Sequence, residues 1–502
     1  MPDDRTVARW LLVVLALLTA LRVIYLVVAG LDLSPDEAHY WEWSRRPDLS
    51  YYSKGPLVAY VIYALTATFG TSELSIRLGA VLLSVAGGLV VYRLGRETFP
   101  DPRAGLLAVV GLQLTPLFWA GSLLMTIDPP FLVCWTLALL FLYRALARGG
   151  ADWILAGAAV GLGILAKYSM LFILPGLVLY LWRAPEARAW LGRPGPYLGA
   201  AVALVLSLPP VVWNAQHGWV SARHVASQGR GAGLTVVELV EFVGVQLGIL
   251  TPLIAGLLAW AAWYGIREGL VRRREPYRFL TAFGVPVIAF YLLLSLQGKI
   301  QANWPAPAYP SLALVAAGAL LERRRRLGPA GRRAQTAFLL AAAGLALGVS
   351  ALGHVTELLG VPGRLDPTLR LRGWRELGAL VGAHRRAMPA PERTFLLAER
   401  YQVTSELAFY VEGHPPAYNV NLGRRLNQYD FWEGPERHRQ WDAIYVQENV
   451  GSLDTRIVGA FDRIEGPFRV DVRRRGLLVR TVAIYRGYGF RGLAPPPGAL
   501  SY

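Results

Sequence analysis

Apolar runs of about bilayer length recur along this chain from residue 10 to residue 352, and arginine clusters mark every second boundary between them. About 20 apolar residues cross the hydrocarbon core as a helix, and basic residues collect at the cytoplasmic ends of such helices. The alternation therefore constrains the chain to a polytopic α-helical membrane protein. Composition agrees: 54% hydrophobic residues and a mean hydropathy of +0.36 exceed an ordinary soluble enzyme, and 502 residues are too many for one anchor. The net charge of +17 does not make a nucleic-acid binder, because the arginines lie in short clusters between apolar segments. The single Cys134 excludes an intramolecular disulfide and a cysteine-based zinc site.

Residues 10–29 follow Arg5 and Arg9 and predict an uncleaved first span with its N-terminus in the cytoplasm. Arg22 interrupts that span toward its outer end. Such a charge costs about 2.5–3.5 kcal/mol unless it snorkels or pairs with a loop carboxylate or a ligand phosphate. The stretch LDLSPDEAHYWEWSRRPDLSYYSKGP, residues 31–56, is then a polar, aromatic first outer loop. Residues 56–70 are too few to span and predict an interfacial or re-entrant helix. Glu73 and Arg77, four apart, predict a helix-face ion pair.

Further spans are expected at 73–96, 104–121 and 131–146, the last two sharing the outer turn LLMTIDPP with Asp128. Residues 153–182 have arginines on both flanks and predict a short hairpin with Lys167 and Tyr168 at its tip, and Gly157 and Gly161 allow close helix packing. With 197–213, 236–266, 279–296, 306–321 and 334–352, the total is about eleven spans (11–13), N-terminus in and C-terminus out. The membrane part is residues 1–354. Residues 355–502 predict a soluble α/β domain on the outer side. It has a helix at 369–388, strands in RTFLLAE, LAFYV and DAIYVQ, and a strand pair FRVDV and LLVRTVAIY around Arg475-Gly476. No strand there precedes a glycine-rich phosphate loop, which argues against nucleotide binding.

Lys54, Lys167 and Lys299 fall on the outer side of a chain that otherwise prefers arginine. Positive-inside logic avoids that placement, so an anionic partner is the reason to keep them, head-group contact being the alternative. Asp36 and Glu37 follow Ser34-Pro35, which also reads as a capped helix start, and Asp128 before Pro129-Pro130 has the same alternative. Glu37, His39 and His217 are residue types that a divalent metal takes, without a fixed spacing. Tyr40, Tyr52, Asn303 and Trp304 are candidates for substrate contact, with an interfacial aromatic belt as the alternative for the rings.

The motifs DEAHYWEW, YYSKGPL, TIDPP, GILAKYSM and NWPAPAYP, in this order, resemble the lipid-linked-sugar glycosyltransferases of the type C (GT-C) fold. The chain looks like glycosyltransferase family 39 and its bacterial aminoarabinose and galacturonate transferase relatives. In the tail only SELAFY and NQYDFW are similar, and to bacterial members alone. The resemblance implies an outward-facing site that takes a sugar from an undecaprenyl- or dolichyl-phosphate carrier and inverts its anomeric centre. It implies Asp36 as the base and Lys54 at the donor phosphate. The residues themselves add Glu37 as a supporting or metal-binding acid, Asp128 as a second acid on the same outer face, and Lys167, Lys299 or Arg22 as help at the phosphate. Many relatives carry an acid before that lysine and proline after it. Ser53 and Gly55 stand here instead, removing the acid on which a metal site would be built. A transporter or lipid flippase is the competing class, but no half of the chain mirrors the other, and the unusual residues sit in loops and at span ends.

Overall fold

A computed structural model of the chain describes residues 3–228, 233, 235–354, 356, 366, 368–448, 451–474 and 476–494. Residues 355 and 475, at the expected domain boundary and hairpin turn, and 229–232 of the outer loop before residue 236 lie outside the described residues.

Helix α1 (Asp4–Val28) starts at Asp3, whose carboxylate accepts the Thr6 amide. The stretch expected as a loop is next, and part of it is a helix, α2 (Pro35–Ser44). Ser34 Oγ accepts the Glu37 amide at 3.3 Å and Glu37 Oε2 accepts the Ser34 amide at 2.9 Å. This capping box, with proline in the first turn, is enough to start a helix. Helix α3 (Leu57–Phe69) is short, as its 13 residues require.

In α4 (Glu73–Thr98) the expected Glu73–Arg77 pair does not form. Arg77 turns inward to Glu37, and Glu73 accepts from Tyr410 and Arg375, because buried partners outcompete an exposed pair on the same helix. The expected span 104–121 is two helices, α5 (Arg103–Gln113) and α6 (Pro116–Gly121), broken where Thr115 caps the second and Pro116 cannot donate. Helix α7 (Asp128–Arg148) is followed by α8 (Asp152–Ala166), which packs on α7 and on Pro194–Leu206, and α9 (Ile173–Arg183), which packs on Tyr277–Leu294. The two therefore do not pair as the expected hairpin, although the chain does break between them at Lys167. A Cβ on Gly157 would lie 2.0 Å from the Gly199 carbonyl oxygen, so the small-residue face does admit a neighbouring backbone, that of α10 (Pro194–Leu206).

Helices α10 and α11 (Leu208–Gln216) bend by 44°, and α12 (Val220–Gln228) follows. The expected single span 236–266 is instead α13 (Val236–Leu250) and α14 (Pro252–Gly265), bent by 110°. Thr251, at φ 68°, followed by a proline, cannot continue the helix. Helices α15 (Tyr277–Leu294), α16 (Ala308–Arg326) and α17 (Pro329–His354) complete the series. Among the described residues α1, α4, α7, α15 and α17 are long and apolar enough to cross a membrane, or eight spans if each of three bent pairs counts as one.

After α17 the chain forms α18 (Trp374–Arg386), β1 (Thr394–Ala398), α19 (Tyr401–Tyr410), β2 (Ala417–Asn419), β3 (Asp442–Gln447), β4 (Phe461–Arg474) and β5 (Leu477–Phe490). The strands make one sheet in the order β2-β1-β3-β5-β4, parallel at β2-β1-β3 and antiparallel beyond. The expected strand in LAFYV is the end of α19. That helix is buried on nearly every side between α2 and the sheet, so it carries no amphipathic period to betray it. Helix α18 is shorter than expected because Gly373, at φ 78°, breaks it from the turn at Leu369–Leu371.

This part sits directly on α2 and the segment before it. The Asp32 amide donates to the Leu371 carbonyl at 3.0 Å, Asp32 Oδ2 accepts the Trp374 amide at 2.9 Å, and the Leu33 amide donates to Tyr410 Oη at 2.7 Å.

Candidate functional site

Helix α2 sends its two adjacent acids in different directions, as neighbours 100° apart on a helix must go. Glu37 is fully buried. Its Oε1 accepts from Arg77 Nε at 3.1 Å and from the Met125 amide at 3.0 Å, and its Oε2 accepts from Arg77 Nη2 at 2.9 Å and the Ser34 amide. Every lone pair that a substrate or metal would use is taken, so Glu37 ties α2 to α4 and to the turn before α7.

Asp36 instead opens into a cavity of about 620 Å³. Tyr401 Oη, from α19, donates to Asp36 Oδ1 at 3.2 Å. The carboxylate is exposed within the cavity, but the density of protein around it desolvates it enough to push its pKa above the usual range. The Tyr401 hydrogen bond and the charges of Lys54 and Arg370 pull it partly back.

Lys54 reaches the same cavity from a tight turn in which the Lys54 carbonyl accepts from the Tyr51 amide at 3.2 Å and Ser50 Oγ at 3.3 Å. A Cβ on Gly55 would lie 2.1 Å from the Leu165 carbonyl oxygen. Only glycine lets this turn rest on the end of α8, which explains Gly55 and brings Lys54 near Lys167. Among the described residues the Lys54 ammonium has no hydrogen-bond or ion-pair partner. Burial, with the charge of Lys167, lowers its pKa to about 8 against the pull of Asp128 and Asp36.

Lys167 is mostly buried and bonds Asp128 Oδ1 at 2.8 Å, with the Phe131 ring 5.6 Å away. Asn303 Nδ2 donates to the other carboxylate oxygen, Oδ2. Asp128 makes no capping bond for α7; it is held as a paired acid in the cavity wall, beside Trp304.

His39, Tyr40 and Tyr52 also line the cavity. His39 Nε2 accepts from Trp43 Nε1 at 3.1 Å and its ring stacks on Tyr429 at 5.2 Å. Burial lowers its pKa to about 3, which keeps the imidazole neutral. The Tyr52 amide donates to Gln428 Oε1 at 2.6 Å, and its hydroxyl lies 3.4 Å from His224 Nδ1.

Three expected contributors are elsewhere. Lys299 is exposed and pairs with Glu241, a partner that a reading of its own loop does not reveal. His217 stacks on Trp213 at 4.0 Å and bonds the Trp213 carbonyl through Nδ1, away from the cavity. Arg22 is buried beneath the cavity, donating to Gln113 Oε1 at 2.6 Å and Ser84 Oγ at 3.2 Å, and so neither snorkels nor meets a carboxylate. Glu37, His39 and His217 thus do not meet, and among the described residues no three His, Cys, Asp or Glu side chains are grouped to hold a metal ion.

The cavity also gains residues that the sequence did not single out: Arg370, Tyr401, Arg425, Asn427 and Gln428 from the C-terminal part, and His224 from α12. The resemblance in NQYDFW, which contains Asn427 and Gln428, was the available signal. Away from these polar groups the lining turns apolar, with Leu83, Val91, Val109, Leu112 and Leu132 from α4, α5 and α7. One chamber therefore runs from a charged end to an apolar slot between membrane helices.

Residues 53–213 match the family model for dolichyl-phosphate-mannose-protein mannosyltransferase. The chain is 32% identical over 308 residues to lipid A galacturonosyltransferase RgtD of Rhizobium johnstonii, covering 60% of this chain and 63% of that protein. It is 28% identical over 396 residues to the undecaprenyl phosphate-alpha-4-amino-4-deoxy-L-arabinose arabinosyl transferase of Edwardsiella ictaluri, covering 73% and 67%. The chain thus spans somewhat under two thirds of RgtD's length and about two thirds of the second relative's. The crystal structure of ArnT from Cupriavidus metallidurans bound to undecaprenyl phosphate superposes with a TM-score of 0.68 at 18% identity, covering 96% of this chain and 98% of that one. The fold is the GT-C fold, and residues 53–213 are similar to the protein mannosyltransferase family.

Proposed function

We propose that this GT-C-fold relative of the protein mannosyltransferases is itself an integral membrane glycosyltransferase, moving a sugar from a polyprenyl phosphate, such as undecaprenyl phosphate, to an acceptor hydroxyl with inversion. The observation that carries this reading is the chamber itself. A carboxylate held by Tyr401 and an ammonium with no partner among the described residues share one end, and the other end is an apolar slot of the kind that a polyprenyl tail fills. Lipid A, which is the acceptor named for RgtD, is the acceptor class we favour over another glycan, a protein or a small lipid.

In this mechanism Asp36 accepts the proton of the acceptor hydroxyl as its oxygen attacks C1 of the sugar. The C1–oxygen bond to phosphate breaks on the opposite side, and Lys54 takes up the charge growing on the departing phosphate. Tyr401 orients Asp36 through its hydrogen bond. Lys167, already balanced by Asp128, adds field and holds Asp128 and Asn303 for contact with sugar hydroxyls. His39, Tyr40, Tyr52 and Trp304 supply walls for the sugar and the first isoprene units. Lys299, Arg22, His217 and Glu37 take no part in the transfer.

We further propose about eleven crossings, with α5–α6, α8, α9, α10–α11, α13–α14 and α16 joining the five long helices. The arginine clusters at alternate boundaries support this count, with the N-terminus in the cytoplasm of a bacterial inner membrane. Residues 1–354 form the membrane catalytic domain, and residues 355–502 an outer α/β domain that closes the chamber. A transporter or flippase reading is weaker, because a pathway across the membrane has no use for a carboxylate held by a tyrosine beside an unpaired lysine.

The experiment is transfer of radiolabelled sugar from a polyprenyl phosphate to lipid A by the purified protein. Movement of labelled lipid across vesicles without any transfer is the result that replaces this reading with the transporter.

A further inference from the structure

The transfer described above leaves two cations of the chamber without a task. Arg370 and Arg425 line it from the C-terminal part, and neither guanidinium has a hydrogen-bond or ion-pair partner among the described residues. Both stand on backbone that the fold fixes firmly. Arg370 lies in the turn Leu369–Leu371, where the Leu371 carbonyl accepts the Asp32 amide at 3.0 Å and the Arg370 carbonyl accepts Trp374 Nε1 at 2.9 Å.

Arg425 follows Arg424, which grips both oxygens of Asp430 at 2.8 Å and 3.2 Å, while Asp430 Oδ2 also accepts the Asn427 amide at 2.7 Å. Gln428 then fastens the loop to the Tyr52 amide. Of two adjacent arginines, one is committed to holding the loop and the other is left facing the chamber.

Charge shows what they are for. The lining holds two carboxylates, Asp36 and Asp128, against four cations, Lys54, Lys167, Arg370 and Arg425. A sugar phosphodiester brings one negative charge, and Lys54 meets it, so positive charge remains over on the C-terminal side. That side is close to the chemistry: Arg370 acts electrostatically on Asp36, Arg425 on Lys54, and both on Tyr401. A guanidinium presents a planar fork of donors that matches an oxyanion, where an ammonium is a point charge.

We propose that Arg370 and Arg425 form an acceptor subsite for an oxyanion, a phosphate monoester or a carboxylate, carried on the head group of the acceptor lipid. Binding that anion sets which hydroxyl is turned toward Asp36. The inference rests on the glycosyltransferase reading for the identity of the acceptor, but not for the existence of the anion site.

The test uses the full chain in lipid nanodiscs. Equilibrium binding is measured for lipid A with its phosphates, dephosphorylated lipid A, dephosphorylated lipid A bearing a galacturonate, inorganic phosphate and undecaprenyl phosphate. The proteins are wild type, R370A/R425A and R370K/R425K. Wild type binds one of the two anionic lipids at least tenfold more tightly than the neutral one, and which of them it prefers separates phosphate from carboxylate. R370A/R425A loses that preference while undecaprenyl phosphate affinity stays within about threefold, and R370K/R425K recovers part of it.

Equal binding of neutral and anionic lipids by wild type overturns the proposal. So does a parallel loss of undecaprenyl phosphate affinity in R370A/R425A, which gives the arginines to the donor, and so does loss of inorganic phosphate binding alone. A wild type that shows the preference but transfers no sugar sinks the reaction and leaves the anion subsite standing.

Discussion

Replacing Asp36 with asparagine isolates one property. The side chain keeps its size, its place in the first turn of α2 and an oxygen that accepts from Tyr401 Oη; only its basicity is lost. A positioned general base is worth roughly 10² to 10⁴ in rate, and at about 1.36 kcal/mol per tenfold this is about 2.7–5.5 kcal/mol of transition-state stabilisation. Desolvation raises the carboxyl pKa, which makes the carboxylate a stronger base than an aspartate in water. Donor affinity moves the other way: removing a negative charge near Lys54 leaves the phosphate less repelled. The expected outcome is a kcat for sugar transfer lowered by a factor of roughly 10² to 10⁴, with undecaprenyl phosphate binding unchanged or slightly tighter. Single-turnover transfer of radiolabelled sugar, together with equilibrium donor binding, separates the two. A loss of less than tenfold in the chemical step, or a loss of rate that only mirrors a loss of donor binding, refutes the base assignment.

The pH profile of transfer is expected to be bell-shaped. Asp36 must be ionised, so the rate rises with pH through a carboxyl pKa lifted by burial, and Lys54 must be protonated, so the rate falls above about pH 8; a flat profile from pH 5 to 9 contradicts both. The charged and titratable groups that act on these two are Glu37, Arg370, Tyr401, Lys167, Asp128 and Arg425, and Asp36→Asn removes the acid limb alone. Lys54→Ala deletes an ammonium that has no partner among the described residues, and a charge-assisted hydrogen bond of about 1.5–3 kcal/mol makes undecaprenyl phosphate binding roughly 10- to 150-fold weaker in a titration. Unchanged binding gives the phosphate to another cation. Glu37→Gln strands the buried Arg77 guanidinium and is expected to lower stability by about 3 kcal/mol, seen as an earlier unfolding midpoint, while kcat per folded molecule stays near wild type. A large kcat defect in well-folded Glu37→Gln protein returns Glu37 to the chemistry.

The long apolar helices α1, α4, α7, α15 and α17 were legible because bilayer length is a local property of the chain, readable over about 20 residues at a time. What proved illegible depended on partners far away. Lys54, Lys167 and Lys299 carry the same sequence signal, an outer lysine in an arginine-rich chain, yet Glu241 on α13 neutralises Lys299, Asp128 engages Lys167 and Lys54 alone stays unpaired. Tyr401, Arg370, Arg425 and Gln428 come from the other end of the chain, and the bond from Tyr401 to Asp36 closes a loop of 365 residues that no local pattern encodes. The segment Ser34-Pro35-Asp36-Glu37 reads both as a capped helix start and as a pair of site acids, and the helix separates the two acids: Glu37 joins the capping box and Asp36 faces the chamber. Glu37 caps and is claimed by Arg77, forty residues on; its claim on that guanidinium fixes the rotation of α2. Given that rotation, a helical step of 100° leaves the preceding acid nowhere to go but the chamber. The capping box and the Arg77 ion pair thus hold Glu37 inside, and the same orientation of α2 leaves Asp36 exposed in the chamber.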